Sequence, residues 1–428
     1  MSNPLRLGVA GLGTVGTGVV KIVQRHGDLL ASRCGRPVEI TAVSARSRSK
    51  DRGVDLSTYA WEDDPMALAA RDDVDVFVEL MGGENGPALD AATKALQDGR
   101  HVVSANKAML ARHGQKLALA AEKSGVSLRF EAAVAGGIPV VKALTEGLAG
   151  NQITRVMGVM NGTCNYILTE MERTGRAYGD VLTEAQQLGY AEADPTFDVG
   201  GFDAAQKLAL LAATAFGSQV DYDGLDIEGI DRVNLADIEH ASELGYRIKL
   251  LGVANNSSDG VDARMKPCLV PENSAIGKLE GVTNMIVIEG DSIGQVVLSG
   301  PGAGEGPTAS AVLGDITDIA RGLNIPAFGV PADRLKPAKR AAASPKAAYY
   351  LRFLLTDAPG ALARVATVLG EGGISIDRMR QVQHAGPQAP VLIVTHDTVR
   401  STLDKVLQVI ADLDVCLAPP VAIRIEDV

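Results

Sequence analysis

The sequence predicts an α/β protein in three parts: a Rossmann-type doubly wound parallel sheet, an α+β segment, and a ferredoxin-like βαββαβ module. Three observations predict it. Strand and helix patterns alternate through the first 140 residues. A glycine-rich turn joins the first strand to the first helix. After a Pro-, Ala- and Lys/Arg-rich stretch at 331–346, a strand–helix–strand–strand–helix–strand pattern fills the remainder. The 428 residues, 46% hydrophobic and 22% charged, suffice for two or three well-packed domains. A net charge of −11 argues against nucleic acid or an anionic membrane as partner. The N-terminus passes directly into a strand pattern without a signal-peptide signature, and no apolar run reaches the ~18 residues of a membrane span. Cys34, Cys164, Cys268 and Cys416 show no CxxC spacing, so they read as free thiols and the cytoplasm is the expected compartment.

The first element, Leu5–Ala10, is a short buried-strand pattern. Gly11-Leu12-Gly13-Thr14-Val15-Gly16 follows, then a helix with Val15, Val19, Ile22 and Val23 on one face. This is GxGxxG in its strand–turn–helix context, where backbone amides at a helix start hold a pyrophosphate. The second strand, Val38–Val43, leads into Arg46, Arg48 and Lys50. Glu39 comes too early and Asp51 too late to bind ribose hydroxyls, whereas the basic run suits a 2′-phosphate. NADP is therefore expected as the preferred cofactor, with NAD tolerated; for Arg48 and Lys50 a plain basic surface loop is the competing reading. Val74–Leu80 is a further strand, with Gly82 in the turn after it, then a helix over Ala88–Gln97. Strand His101–Ser104 delivers Ala105-Asn106-Lys107 to the carboxyl edge of the sheet, where ligands bind. Lys107 is either at the reactive end of the cofactor or a solvated lysine before a helix. Leu128–Val134 reads as the next strand, carrying Glu131 and running into Gly136-Gly137-Ile138-Pro139.

In the middle segment Gln152–Met160 and Met285–Glu289 alternate as strands. Asn161 to about Glu172 and Asp180–Leu188 read as helices, the second with Asp180 as cap and Gly189 as stop. Next comes GYAEADPTFDVGGFDAAQK (189–207), an acid-rich loop with Glu192, Asp194 and Asp198 that runs into an apolar helix. Asp203, Lys207, Leu210, Leu211 and Thr214 share one face of it. A lysine on a stripe that turns apolar one turn later is half buried, and desolvated lysines serve as proton donors. An ordinary i,i+4 pair on a solvated helix is the alternative. Gly300–Pro307 is a Gly-rich loop before a helix, containing Gly304.

Five motifs in order, SANK (104–107), EAAVAGGIP (131–139), NGTCNYIL (161–168), the 189–207 segment and GPGAGEGPTAS (300–310), resemble homoserine dehydrogenase. The resemblance implies reversible NAD(P)H-dependent reduction of L-aspartate 4-semialdehyde to L-homoserine, in threonine, methionine and isoleucine biosynthesis. It also implies roles. Lys207 would be the proton donor, with Lys107 near the nicotinamide and the reacting oxygen. Glu192 and Asp203 would hold the substrate ammonium, and Gly189 and Gly304 would border the cofactor. A monovalent cation, sodium or potassium, would sit on the Glu131 carboxylate and the carbonyls of Val134, Gly136 and Ile138. Phe197 departs from relatives that carry a second acid there, so Asp198 stays outside the catalytic set. On this reading 1–140 is the dinucleotide-binding domain with 305–330 packing back on it. Residues 141–304 form the substrate and dimerisation domain, 331–346 a linker, and 347–428 the C-terminal module.

That module reads as strand Tyr349–Leu355, a helix with Leu362, Val365, Ala366 and Leu369 inward, strands Ile374–Val382 and Val391–Thr395, a second helix, and strand Val421–Ile425. DAPGALARVATVLGEGGISIDRM resembles an ACT domain, which implies amino-acid regulation, often by threonine, and a homodimer or homotetramer. Ser375 stands where Asn is often found. Other readings are a phosphorylating semialdehyde dehydrogenase using Cys164 as thiolate, a dehydrogenase for another small amino-acid-like substrate, and a non-catalytic sensor. No His between His113 and His240 supports the thiolate reading, and no His–acid pair supports the second.

Overall fold

The computed structural model describes residues 3–381 and 388–428. The first part alternates strand and helix: β1 (Leu5–Ala10), α1 (Thr14–Cys34), β2 (Val38–Ser44), β3 (Ala60–Glu62), α2 (Pro65–Ala70), β4 (Val76–Glu79), α3 (Pro87–Gln97), β5 (His101–Ser104), α4 (Lys107–Lys123) and β6 (Leu128–Arg129). These strands form a parallel sheet in the order β3-β2-β1-β4-β5-β6, so the carboxyl ends of β1, β4 and β5 open onto one edge. Leu7, Val9, Val76, Val78 and Val103 are buried between the helical layers, as expected of strands covered on both faces.

The strand expected over Leu128–Val134 is cut short after Arg129. A tight 3₁₀ turn, Glu131–Ala133, replaces its second half. The Glu131 carboxylate turns inward there and accepts from the backbone N–H groups of Val141 and Lys142, at 2.9 and 2.8 Å. These are unpaired amides at the start of a short helix, α5 (Val140–Lys142), which continues as a π-turn over Ala143–Gly147.

The middle part holds β7 (Ile153–Val159), α6 (Gly162–Thr174), α7 (Tyr178–Gln187), α8 (Thr196–Val199), α9 (Phe202–Phe216), β8 (Asp226–Ile227), α10 (Leu235–Glu243), β9 (Tyr246–Ser257), β10 (Gly260–Pro271), β11 (Thr283–Gly290), β12 (Gly294–Pro301) and α11 (Glu305–Ala320). Asp180 is not a cap: α7 starts two residues earlier after Ala177, and Asp180 sits in the first turn, where a negative charge suits the helix dipole. α11 returns to the first domain and packs on α1, where Lys21 and Glu305 pair at 2.7 Å.

The last part is β13 (Tyr349–Thr356), α12 (Ala361–Glu371), β14 (Ile376–Gln381), β15 (Gln388–Thr395), α13 (Arg400–Ala411) and β16 (Val421–Ile425), the expected βαββαβ order. Val382, the expected end of β14, lies outside the described residues. Its sheet is not separate. β16 pairs in parallel with β10, giving one mixed sheet in the order β12-β11-β7-β9-β10-β16-β13-β15-β14 among the described residues. The 331–346 segment is irregular but strapped down. Ala332 and Leu335 are buried, the Val261 amide donates to the Lys339 carbonyl, the Ala341 amide donates to the Val261 carbonyl, and Arg340 makes a two-point pair with Asp221.

Candidate active site

At the end of β1 the backbone turns at Gly11, whose φ of +97° excludes an ordinary side chain; a Cβ there would also lie 2.4 Å from the Leu80 carbonyl. α1 then begins at Gly13 with no side-chain cap and no acid in its first turn. Amides of a 21-residue helix are thus left for an anion, which fits the pyrophosphate of a dinucleotide. Gly11, Leu12, Gly13, Thr14, Val15 and Gly16 come together in this loop and helix start. Arg46 stands exposed beyond β2 and makes no hydrogen bond or ion pair with them. The arginine that closes on the loop is Arg52: its Nε donates to the Leu12 carbonyl at 3.0 Å, and its guanidinium also holds the Lys50 and Ser47 carbonyls. Arg48 and Arg52 lie 5.9 and 5.7 Å from the Trp61 ring centre. Forty residues separate Arg52 from Leu12 in sequence, and spacing gave no sign of their contact.

At the end of β4, Glu79 is wholly buried. Its carboxylate accepts from the amides of Met81 and Gly82 at 2.8 and 3.2 Å and from Ser104 Oγ at 2.6 Å. Ser104 Oγ in turn accepts from Asn106 N, and the Asn106 amide donates to the Gly83 carbonyl. Burial pushes the Glu79 carboxyl up, against the pull of these hydrogen bonds. This one acid fixes both the Gly82 turn and the strand end that presents Lys107. An acid closing an apolar strand (VDVFVEL) was its only signal in the sequence.

α9 brings the charged groups together. Lys207 Nζ donates to Asp203 Oδ2 at 2.7 Å and to the Met160 carbonyl at 2.9 Å. Lys107 Nζ meets the other oxygen, Asp203 Oδ1, at 3.1 Å. The side chains of Lys207 and Asp203 are 11% and 12% exposed, and that of Lys107 29%. Asn161 caps α6 and donates through Nδ2 to Asp203 Oδ2 at 3.1 Å and to Asp198 Oδ1 at 2.9 Å. Burial pushes the Asp203 carboxyl up, but the two lysines outweigh it and hold it far below the ordinary range. Asp198 is raised by burial. Sequence reasoning left both Asn161 and Asp198 without a role, although each lies in a motif it quoted. The Cys164 thiol is buried under the cluster and pushed up by burial and then by Asp198 and Asp203, the opposite of an activated thiolate.

Glu192 is exposed on the 189–195 loop, and its carboxylate makes no hydrogen bond or ion pair among the described residues. Gly189, at φ +74°, ends the turn after α7, and Thr163 Oγ1 donates to the neighbouring Tyr190 carbonyl at 2.6 Å. Gly304 caps α11 beside α1. In the 131–138 turn, Val134 and Ile138 are buried and Gly136 packs on Gly302. Burial, then Asp315, pushes the Glu131 carboxyl up to about 7.

Residues 11–131 match the family described as "Homoserine dehydrogenase, NAD binding domain", residues 139–317 the family "Homoserine dehydrogenase", and residues 349–415 the "ACT domain". The chain is similar to the homoserine dehydrogenase of Neisseria gonorrhoeae, 42% identical over 432 residues with 99% of each chain covered. It is also similar to the crystal structure of a homoserine dehydrogenase from Thiobacillus denitrificans, with a TM-score of 0.94, 38% identity, and 99% of this chain and 98% of that one covered. A hyperthermophilic archaeal homoserine dehydrogenase in complex with NADPH matches with a TM-score of 0.64 and 25% identity, over 74% of this chain and 97% of that one.

Proposed function

Because the chain belongs to the homoserine dehydrogenase family and ends in an ACT domain, we propose that its reversible reduction of L-aspartate 4-semialdehyde to L-homoserine runs on Lys207 as proton donor. The enzyme is a nicotinamide-dependent oxidoreductase; a dinucleotide held by the 11–16 loop would supply the hydride to the aldehyde carbon or take it back. As the carbon is reduced, charge builds on its oxygen, and an adjacent ammonium stabilises and then protonates it. An ammonium has three donors. Lys207 commits two, to Asp203 and to the Met160 carbonyl, leaving the third for the substrate oxygen. Lys107, more exposed, adds a second positive charge beside the same oxygen. Asp203 orients both lysines and, with Asp198 beside it, makes the site attractive to the substrate ammonium. Glu192, exposed on the 189–195 loop with no protein partner for its carboxylate among the described residues, is the second acid for that ammonium. The observation that carries the reading is a single buried carboxylate with a lysine on each oxygen.

Gly11–Gly16 and Gly82 hold the dinucleotide on this reading, with Gly189 and Gly304 at its border, and Arg46 favours NADP through the 2′-phosphate. A sodium or potassium ion on Glu131 and the carbonyls of Val134, Gly136 and Ile138 is supported by two buried carboxyls side by side, Glu131 and Asp315, whose Oδ2 accepts from the Glu131 amide at 2.9 Å. Threonine at Gly360–Leu362 and Ile374–Ile376 is the proposed effector. An assembly of two or four copies is supported by the open edge at β12, where Val297 is exposed. Four free cysteines suit a reducing compartment such as the cytoplasm; among the described residues no helix is long and apolar enough to cross a membrane. The test is homoserine-dependent NADP reduction by wild type and Lys207→Ala. Turnover should vanish in the variant while NADP binding persists; near-normal turnover refutes the assignment.

A further inference from the structure

The middle domain buries a lysine for which the chemistry above has no use. Lys249, on β9, is 2% exposed and forms no ion pair among the described residues. Its Nζ donates to Asn165 Oδ1 at 3.1 Å and to the Leu279 carbonyl. Asn165, 1% exposed, donates in turn to the Gly281 carbonyl at 2.8 Å. Burial pushes Lys249 down to about 8. Taking an ammonium out of water carries a cost, which Glu172 and Glu280 offset only in part from beyond ion-pair distance. A methionine of similar length would fill the same space without that cost, so volume alone does not account for a lysine here.

The ammonium closes the crossing between the 279–282 loop and the start of α6. The fit there has no slack: a Cβ on Gly162 would lie 2.7 Å from the Val282 carbonyl. Asn161, the residue just before Gly162, is the α6 cap whose amide bridges Asp198 and Asp203. Just beyond the loop, at the start of β11, lies buried Asn284, whose side chain fills the space that a Cβ on Gly302 would need. One buried cation therefore sets a segment that packs on the start of α6, next to Asn161, on one side and on Gly302 on the other.

We propose that Lys249 is a positioning residue of the active site: by clamping Asn165 and the Leu279 carbonyl it fixes the start of α6, and with it the Asn161 amide that aligns Asp203 between Lys207 and Lys107. The proposal rests on Lys207 being the proton donor. It is tested in the full chain with Lys249→Met and Lys249→Arg, measuring kcat, KM for homoserine, KM for NADP, and Tm. Lys249→Met should lower kcat by roughly 10- to 100-fold, as small misplacements of catalytic groups do. KM for NADP should not change, and Tm should hold or rise because a buried charge is gone. Lys249→Arg should recover part of kcat. Unchanged kcat in Lys249→Met overturns the proposal whatever the Tm. If that variant loses Tm together with kcat, Asn165→Ala decides: kcat lost at constant Tm supports the link, and unchanged kcat overturns it. An inactive wild type, or an active Lys207→Ala, would instead sink the functional reading and is distinguishable from either result.

Discussion

Replacing Asp203 by asparagine keeps its size and removes one negative charge from between two ammonium groups. Its oxygens meet Lys207 at 2.7 Å and Lys107 at 3.1 Å, with the Asn161 amide at 3.1 Å. Asp203 and Lys207 are 12% and 11% exposed, so the variant strands a buried charge, a change that costs about 3–5 kcal/mol. Lys107 is 29% exposed and water screens part of its loss. The lower end, about 3 kcal/mol, corresponds to a fall in Tm of roughly 3 °C for a chain of 428 residues. The pH dependence has a definite sign. The Asp203 carboxyl is depressed in the folded protein, so its contribution is full above the unfolded value of about 3.9 and is lost as pH falls below it. The variant should lack that acid-side loss. Turnover should fall by roughly 100-fold, because Lys207 and Lys107 lose the group that aligns them. Thermal unfolding at pH 3–7 and homoserine-dependent formation of NADPH measure both effects. Wild-type Tm together with wild-type kcat/KM would refute the reasoning.

Cys164→Ala should keep turnover and cost about 1 kcal/mol of stability, since the thiol is buried and raised; abolished turnover would restore the thiolate mechanism. Arg46→Ala should raise KM for NADP by roughly tenfold while KM for NAD stays put, the size of one charge-assisted hydrogen bond. Equal changes for both cofactors would remove Arg46 from the site. Potassium or sodium, compared with choline at equal ionic strength, should raise the Tm of wild type and not that of Glu131→Gln. An identical response in the two proteins would exclude a cation on that carboxylate.

Local signals were legible where one stretch of chain carries the whole device. GxGxxG needs only a strand, a turn and a helix start, all inside Leu5–Cys34. Asp203 and Lys207 meet because they are one helical turn apart on α9. What the sequence concealed depends on long-range contact. Arg52 reaches Leu12 only because β2 lies beside β1. Glu79 gains its role from Ser104, which β5 brings alongside β4. The β9–β10 hairpin escaped notice because Ile248–Ala254 is a continuous buried run without period-two alternation. The early end of β6 has a related cause. Propensity favours a strand through Val134, but the carboxylate of Glu131 gains two backbone donors only if the chain turns.

The boundary near residue 347 teaches the same lesson in reverse. Composition marks 331–346 as a linker, which suggests that the ACT unit could be removed cleanly. β16 lies between β10 and β13, so the sheet of the catalytic part and that of the ACT part are one sheet. Just past β16, the buried Glu426 accepts from Arg264, Arg155 and Arg424 at 2.7–2.9 Å. Burial pushes its carboxyl up, but Arg264 and Arg424 outweigh this and hold it low. Arg155 lies on β7 and Arg264 on β10, both in the catalytic part. Cutting the chain before 347 would therefore remove the acid that Arg155 and Arg264 share, leaving them Glu289 at 3.6 Å and Asp262, and uncover the β10 edge. Breaking one buried pair of this kind costs about 3–5 kcal/mol. If threonine is the effector, as proposed, a truncated chain without that inhibition would thus report damage to the catalytic sheet as readily as loss of an effector site. Point substitution at an exposed position such as Ser375 in the full chain separates the two, because it leaves Glu426 and β16 in place.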